Sequence, residues 1–197
     1  MRFSEVIAIK RPAARYDHRD EPEPEPERRW GAVLSADVVA FSRLMQLDEE
    51  RTYNLYKSHR RELIDPKLRQ YGARFVKSTG DGIMAEFPTA LGATRCALEV
   101  QQGMAERSQS TPASSRVIFR VGLSCGPIMA DVEDIYGHDV NVAARLQAVA
   151  PPGGIAMSRE VAGFVRGALS LQLEDAGKQL FHNMQRPVHV FRCRFDN

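Results

Sequence analysis

The order of apolar runs and helical patterns predicts an α+β domain with a ferredoxin-like βαββαβ core and an additional C-terminal helix and strands. Apolar runs with strand character alternate with two long segments in which apolar residues recur at helical spacing. Between these two segments, short apolar runs flank the turn Thr-Gly-Asp-Gly at residues 79–82, which is typical of a β-hairpin. The length of 197 residues suits one domain of ordinary size with a real core.

The predicted elements follow one another in chain order. The core is expected to comprise the strand 31–38, helical segments between 41 and 68, the hairpin strands 73–77 and 83–87, the helix 90–107, and the strand 117–124 ended by Gly126 and Pro127. Beyond the core we expect a helix over 141–150, the breaker 151–154, a strand at 155–157, a helix from Ser158, and strands around 169–174 and 188–195. His59 is expected on a helix surface.

A segment rich in Glu and Pro precedes the domain. Residues 17–29 are acidic and then alternate Glu with Pro, which favours extended backbone and mutual repulsion of the charges. We expect residues 1–29 to be a flexible tail and linker, and residues 30–197 to be the folded domain. The N-terminal apolar patch is too short for a secretory signal, and no run approaches the ~20 apolar residues of a membrane span.

Composition narrows the class of function. The net charge of +2 gives no bulk electrostatic reason to expect binding to nucleic acid or an anionic membrane. The odd number of cysteines, three, is typical of free or buried thiols in a reducing compartment. A cytoplasmic protein is therefore expected, and a fragment of a larger protein is also compatible with the sequence.

Asp37 and Asp81 are candidate metal ligands. Asp37 lies within an apolar run, where a bare carboxylate is costly to desolvate, so it must be paired, cap the following helix or bind a cation. Asp81 has a simple alternative role as part of an Asp-Gly turn. In a βαββαβ sheet the first strand neighbours the hairpin, so the two carboxylates are expected to face each other. Hard oxygen ligands favour Mg²⁺ or Mn²⁺ that keeps sites open for substrate phosphates.

Asn141 and Arg145 form a second candidate group. They lie four residues apart and share one face of the predicted helix. A guanidinium beside an amide suits a phosphate or a developing phosphoryl charge. A solvated helix face is the alternative explanation for this pair.

Three motifs in the same order resemble those of class III nucleotidyl cyclases, in particular bacterial adenylate cyclases. They are SADVVAFS around Asp37, VKSTGDG around Asp81, and DIYGHDVNVAARL from Asp134. A fourth segment, EDAGKQLFHNMQRPVHVFR, matches more loosely, and together the four span about residues 30–194. The resemblance implies the nucleotidyl cyclase fold and the conversion of ATP to 3′,5′-cyclic AMP and pyrophosphate.

The resemblance also implies roles for the metal ligands and the architecture of the site. Asp37 and Asp81 would bind two ions of Mg²⁺ or Mn²⁺, with help from the backbone carbonyl of Val38. The active site would form between two chains in a head-to-tail homodimer. One chain would contribute the metal-binding aspartates, and the other would contribute the residues that hold the nucleotide.

The nucleotide-binding residues follow from the same comparison. Lys77 and Asp134 would contact adenine, Asn141 would orient the ribose, and Arg145 would stabilise charge on the α-phosphate. A carboxylate plus an ammonium complements the amino donor and ring acceptor of adenine, whereas guanine reverses that pattern. This contrast favours ATP over GTP, although an ordinary salt bridge is an alternative role for Lys77 and Asp134.

One position departs from the family pattern. Where the family has a lysine that contacts the triphosphate, this chain has His182, and Lys178 is a possible but uncertain substitute. A neutral imidazole offers one donor and no fixed charge at pH 7. Two alternatives therefore remain besides an adenylate cyclase: a weak or inactive regulatory or dimerisation module with the same fold, and a guanylate cyclase.

Overall fold

One mixed sheet organises residues 25–194, the part of the chain that this computed structural model describes. Its strands are β1 (Glu27–Val38), β2 (Arg74–Thr79), β3 (Gly82–Phe87), β4 (Phe119–Ala130), β5 (Ile135–Tyr136), β6 (Ile155–Ser158), β7 (Glu174–Gln179) and β8 (Val188–Cys193). The order is β2-β3-β1-β4-β6-β8-β7, with β5 paired to β4. The first four strands are antiparallel neighbours, which confirms the predicted ferredoxin-like core, and β6 then adds to β4 in parallel.

Asp48, Thr89 and Ser158 cap the first turns of three of the helices that the structure describes. The helices are α1 (Phe41–Leu47), α2 (Glu49–His59), α3 (Asp65–Gln70), α4 (Ala90–Ser108), α5 (His138–Val149) and α6 (Arg159–Val165), and a π-helical turn at Arg60–Ile64 joins α2 to α3. Asp48 accepts a hydrogen bond from the backbone N–H of Arg51, and Thr89 accepts one from that of Gly92. None of the helices within residues 25–194 is long and apolar enough to cross a membrane.

The two faces of the sheet hold different cores. Leu34 and Ala36 of β1 pack into the large core that includes α4, whereas Val33 packs with the residues of α5. Because strand residues alternate between faces, Asp37 lies on the same face as Val33. Helix α5 lies directly on β4 at Gly122, where a Cβ atom would be 2.2 Å from the backbone of α5. This close approach brings the helix with the candidate phosphate-binding residues against the strand beside Asp37.

The strand boundaries differ from the predictions in three places. β1 begins at Glu27, inside the segment predicted as linker, and residues 1–24 of that predicted tail lie outside the described residues. β4 does not end at Gly126 and Pro127 but continues to Ala130. Proline is tolerated at position 127 because β4 pairs with β6 only through Leu123. Beyond Leu123, the edge of β4 that faces β6 needs no backbone N–H to donate to that strand.

The predicted strand around residues 169–174 is the third difference, and the prediction that His59 lies on a helix surface was also wrong. β7 covers Glu174–Gln179 rather than 169–174, and the alternating leucines at 169, 171 and 173 pack on the core without forming a strand. Alternation reports half-burial, and it does not report whether a pairing partner is in reach. His59 is 9% exposed and therefore buried between the helices rather than on their surface. The cysteines at 96, 125 and 193 are buried free thiols, as expected.

Candidate active site

Asp37 and Asp81 lie side by side at one end of the sheet. Asp37 is the penultimate residue of β1, and Asp81 lies in the turn between β2 and β3. The backbone N–H of Val38 donates a hydrogen bond to Oδ2 of Asp81 at 3.1 Å, which ties the turn to the end of β1. Burial, reinforced by the adjacent carboxylate of Asp37, raises the pKa of Asp81 to about 6. The repulsion between the two carboxylates therefore favours uptake of a proton or a cation.

Glycines allow the turn to come this close to β1. Gly80 has a φ of +71°, a conformation that L side chains rarely adopt. A Cβ atom on Gly82 would lie 2.3 Å from Oγ1 of Thr79 and 3.5 Å from the carbonyl oxygen of Ala36. The Thr-Gly-Asp-Gly sequence thus reverses the chain and also presents Asp81 to Asp37.

The two carboxylates fit a divalent cation. They supply hard anionic oxygens, and a cation between them would offset the burial of Asp81 and its proximity to Asp37, which together raise the pKa of Asp81. Within the described range no group of three or more His, Cys, Asp or Glu side chains gathers to hold a metal. A partial set of ligands suits Mg²⁺ or Mn²⁺, which keep waters and accept substrate phosphates. The carbonyl of Val38 stays a predicted additional ligand.

Arg120 and Gln147 also contact Asp37, and the sequence analysis missed both. Arg120 is the β4 partner of Asp37, and its Nη2 lies 3.5 Å from Oδ2 of Asp37. Nε2 of Gln147 on α5 donates to the same oxygen at 3.4 Å. A charged residue inside the apolar run 117–124 was the available signal for Arg120. Asp37 is consequently contacted from β4 and α5 on one side and from the β2–β3 turn on the other.

A β-bulge places Lys77 on the face of the sheet that carries α5. In the ladder Arg74 opposes Glu86 and Lys77 opposes Met84, with one extra residue in β2 between Phe75 and Lys77. Glu86 and Met84 are two residues apart and share a face, so Arg74 and Lys77 share it as well. In a regular strand, residues three apart would point to opposite faces. The lysine inside an apolar stretch is therefore turned towards the site by the bulge.

Lys77 meets Asp134 on that face. The two form an ion pair, with Nζ of Lys77 2.5 Å from Oδ2 of Asp134. Oδ1 of Asp134 accepts the backbone N–H of Ile135 at 2.7 Å. The side chain of Lys77 is 40% exposed and that of Asp134 is 21% exposed. A pair this open to solvent adds little to stability, but it presents a donor and an acceptor to a ligand.

Asn141 and Arg145 line one side of an open cleft of about 580 Å³. Both side chains are exposed on α5, and Ala143 and Leu146 of the same helix are buried beneath them. The prediction that Asn141 and Arg145 share one face of a helix is therefore confirmed. The opposite side of the cleft is the connection between β7 and β8, residues 182–186.

His182 lies in this cleft, as its position before the last strand predicts, and Arg186 lies there too. Lys178 is not among the residues that line the cleft, because it belongs to β7, where it pairs with His189 of β8. Lys178, the alternative to His182, thus lies outside this cleft. The sequence analysis missed Arg186, although it is the basic residue nearest to His182 before β8. The guanidinium of Arg186, across the cleft from Arg145, gives the cleft a second permanent positive charge.

The candidate residues form separate groups within one chain. Asp37 and Asp81 form one group, and neither lines the cleft that holds Asn141 and Arg145. Lys77 and Asp134 form another group on the β2 side of the sheet.

Comparison with known proteins identifies the family. The family model described as "Adenylate and Guanylate cyclase catalytic domain" matches residues 29–185. The chain therefore belongs to the class III nucleotidyl cyclases, and its mixed α+β fold is that of their catalytic domain.

Individual relatives agree with this assignment. A Rhizobium meliloti protein named "Putative adenylate cyclase 3" is 39% identical over 164 residues, which cover 83% of this chain and 28% of that protein. The crystal structure titled "Adenylate/Guanylate Cyclase/Hydrolase" from Silicibacter pomeroyi is 44% identical, with a TM-score of 0.83, and the match covers 87% of this chain and 99% of that one. The adenylyl cyclase CyaB from P. aeruginosa shares the fold, with a TM-score of 0.75 and 22% identity. That match covers 88% of this chain and 98% of the CyaB chain. The chain thus spans less than a third of the length of the curated relative.

Proposed function

We propose that this domain is an adenylate cyclase that converts ATP to 3′,5′-cyclic AMP and pyrophosphate. The observation that carries the choice of ATP is the ion pair between Lys77 and Asp134. The carboxylate can accept from the N6 amino group of adenine while the ammonium donates to ring N1. Guanine places an acceptor and a donor at these positions, and the mismatch is worth about 2–4 kcal/mol in a site where polar groups stay unpaired.

The residues that line the cleft suit the sugar and the phosphates. The Asn141 amide would hold the ribose so that its 3′ oxygen points at the α-phosphorus, and the guanidinium of Arg145 would stabilise the charge that develops there. The bond between the 3′ oxygen and phosphorus forms, the bond to the pyrophosphate oxygen breaks, and the hydroxyl proton leaves to a carboxylate such as Asp37 or to water. The leaving pyrophosphate would then meet the guanidinium of Arg186 and a hydrogen-bond donor from the imidazole of His182, which both line the cleft.

Asp37 and Asp81 would hold two ions of Mg²⁺ or Mn²⁺. When bound, such ions activate the hydroxyl as Lewis acids and neutralise the triphosphate. The contacts of Arg120 and Gln147 with Asp37, and of Val38 with Asp81, keep the two carboxylates facing each other. These contacts prepare the ligand geometry before substrate arrives.

The complete site is proposed to form in a head-to-tail homodimer. Support comes from the separation of the groups, since Asp37 and Asp81 do not line the cleft of Asn141 and Arg145 in their own chain. A second copy related by a two-fold axis would bring the metal-binding pair of one chain to the cleft of the other, and the symmetry would create two such sites. Activity should then depend on protein concentration, because dilution separates the chains.

The test is an assay of cyclic nucleotide formation with ATP or GTP and Mn²⁺ over a range of protein concentrations. We expect cyclic AMP in preference to cyclic GMP, a rise in specific activity with concentration, and loss of activity in Asp81→Ala. Glu106→Ala, which removes an exposed carboxylate from α4 on the face of the sheet opposite α5, is the matched control. Absence of any cyclic nucleotide at high concentration would refute the catalytic proposal and favour a regulatory module, and a preference for GTP would favour a guanylate cyclase.

A further inference from the structure

A cluster of three charged side chains lies beside the Lys77–Asp134 pair and is not part of the proposed chemistry. Glu86 of β3 is at its centre, with its side chain 8% exposed. Arg29 of β1 donates to both carboxylate oxygens of Glu86, from Nε at 2.8 Å and from Nη2 at 2.9 Å. Arg74 of β2 donates from Nε to Oε2 of Glu86 at 3.0 Å. We call Arg29, Glu86 and Arg74 the clamp.

The surroundings of Glu86 favour its ionised form. The hydrogen bonds from Arg29 are the largest influence that lowers its pKa; burial opposes them, and Arg74 adds to them. A buried carboxylate that accepts three charge-assisted hydrogen bonds is held in one orientation. Glu86 therefore provides a rigid anchor for the guanidinium of Arg74.

The rest of the Arg74 guanidinium points to the segment that carries Asp134. Nη1 donates to the carbonyl oxygen of Asp131 at 2.8 Å, and Nη2 donates to that of Asp134 at 3.2 Å. Each of the three nitrogens thus has an acceptor, one in Glu86 and two in the loop. A planar fork of donors can span these acceptors at once, whereas the single nitrogen of a lysine cannot.

Besides Arg74, the segment is held by the ion pair of Asp134 with Lys77 and, at its two ends, by the paired and buried residues Ala130 and Ile135. It joins β4 to β5, and its tip, Val132, is 79% exposed, so no apolar side chain anchors the tip in the core. Oδ1 of Asp131 accepts the backbone N–H groups of Glu133 and Asp134 at 2.8 and 2.6 Å, which shapes the turn but does not attach it to the sheet. Arg74 ties the backbone carbonyls of this turn to β2, three residues before Lys77 on the same strand and the same face.

From this geometry we propose that Arg74 is a positioning residue for base selection, which holds Asp134 at the place where it meets both Lys77 and the base. Arg29 and Glu86 act through Arg74 by fixing its guanidinium. This inference rests on the proposed function, because it assigns the recognition of adenine to Asp134. Loosening the segment would let Asp134 move and would weaken discrimination between ATP and GTP more than it weakens the reaction itself.

The test compares Arg74→Lys with wild type. This variant keeps the positive charge beside Glu86, so the domain should fold, but it removes the fork that reaches the two carbonyl oxygens. We expect faster hydrogen exchange at the amides of residues 133–135 and a fall of about tenfold in the ratio of kcat/KM for ATP to that for GTP. Glu99→Gln is the matched control, because Glu99 also accepts hydrogen bonds from two side chains, Lys67 and Tyr71, on a distant face.

Each outcome decides a different point. Unchanged exchange at residues 133–135 would overturn the attachment, and faster exchange with an unchanged ATP-to-GTP ratio would overturn the role in base selection. An equal loss of selectivity in Glu99→Gln would also overturn it, because a general loss of stability would then explain the effect. In an Asp134→Asn background, Arg74→Lys should cause no further loss of selectivity.

Failure of the proposed function gives a separate result. If the wild type makes no cyclic nucleotide, the ratio of dissociation constants for ATP and GTP, measured by calorimetry, replaces the kinetic ratio. A wild type that binds ATP in preference and loses that preference in Arg74→Lys would support the positioning role even though the enzyme proposal had failed. Equal binding of both nucleotides by the wild type would overturn the positioning role.

Discussion

A mixture of two inactive variants tests the division of the site between two chains. Asp81→Ala removes a carboxylate from the metal-binding pair, and Arg145→Ala removes the guanidinium from the cleft. Within one chain these two residues belong to separate groups. In the proposed head-to-tail dimer, each site takes Asp81 from one chain and Arg145 from the other.

The expected activity of the mixture follows from symmetry. Equal amounts of the two variants that exchange freely give heterodimers as half of all dimers. In each heterodimer one site receives both substitutions and the other receives neither. The mixture should therefore recover about a quarter of wild-type activity, although each variant alone is inactive.

The assay is formation of cyclic AMP by the separate variants and by the mixture at the same total concentration. A mixture of Asp37→Ala with Asp81→Ala is the control, because both residues belong to the same half and no heterodimer has an intact site. Thermal unfolding of each variant checks that it is folded. No recovery in the first mixture, or recovery in the control, would refute the shared site.

Three further predictions concern the cleft, the packing of α5 and the pH dependence of stability. Arg186→Ala should raise the KM for ATP several-fold, and His182→Lys should lower it at neutral pH, because each changes the positive charge beside the triphosphate; steady-state kinetics that show no change would contradict the placement of these side chains. Gly122→Ala should lower the free energy of unfolding in urea by about 1–3 kcal/mol, since its Cβ would meet the backbone of α5, and an unaffected midpoint would contradict the close packing. The pKa of His59 lies below its ordinary value of 6.5, mainly because the side chain is buried and secondly because of the positive charge of Arg107. Below pH 6.5 the unfolded chain then binds more protons, so stability should fall with decreasing pH by at most about 1.4 kcal/mol per unit, and urea unfolding of His59→Gln at pH 7.5 and 5 should show a smaller fall.

The sequence predicted the core elements well where one physical signal dominated. β1, the β2–β3 hairpin and α4 follow from apolar runs, a Thr-Gly-Asp-Gly turn and helical periodicity, none of which needs knowledge of distant residues. The prediction for β7 failed because alternating leucines at 169, 171 and 173 report a half-buried segment, and only the position of β8 decides which residues pair with it. The buried position of His59 likewise depends on how the helices pack together.

The sequence by itself determined the family and the presence of Asp37, Asp81, Asn141 and Arg145 in recognisable motifs. These motifs can be read from the sequence because each is local and lies in one turn, on one helix face or at one strand end.

The tertiary structure decided contacts that the sequence did not predict. A single extra residue in β2 places Lys77 on the face of the sheet where it meets Asp134. Strand alternation alone would have placed Lys77 and Arg74 on different faces of the sheet. Arg186 lies in the cleft because the β7–β8 connection packs near α5. Arg74 contacts the segment that carries Asp134 although the two are far apart in the chain. Such contacts depend on register and on packing distance, which one-dimensional patterns do not record.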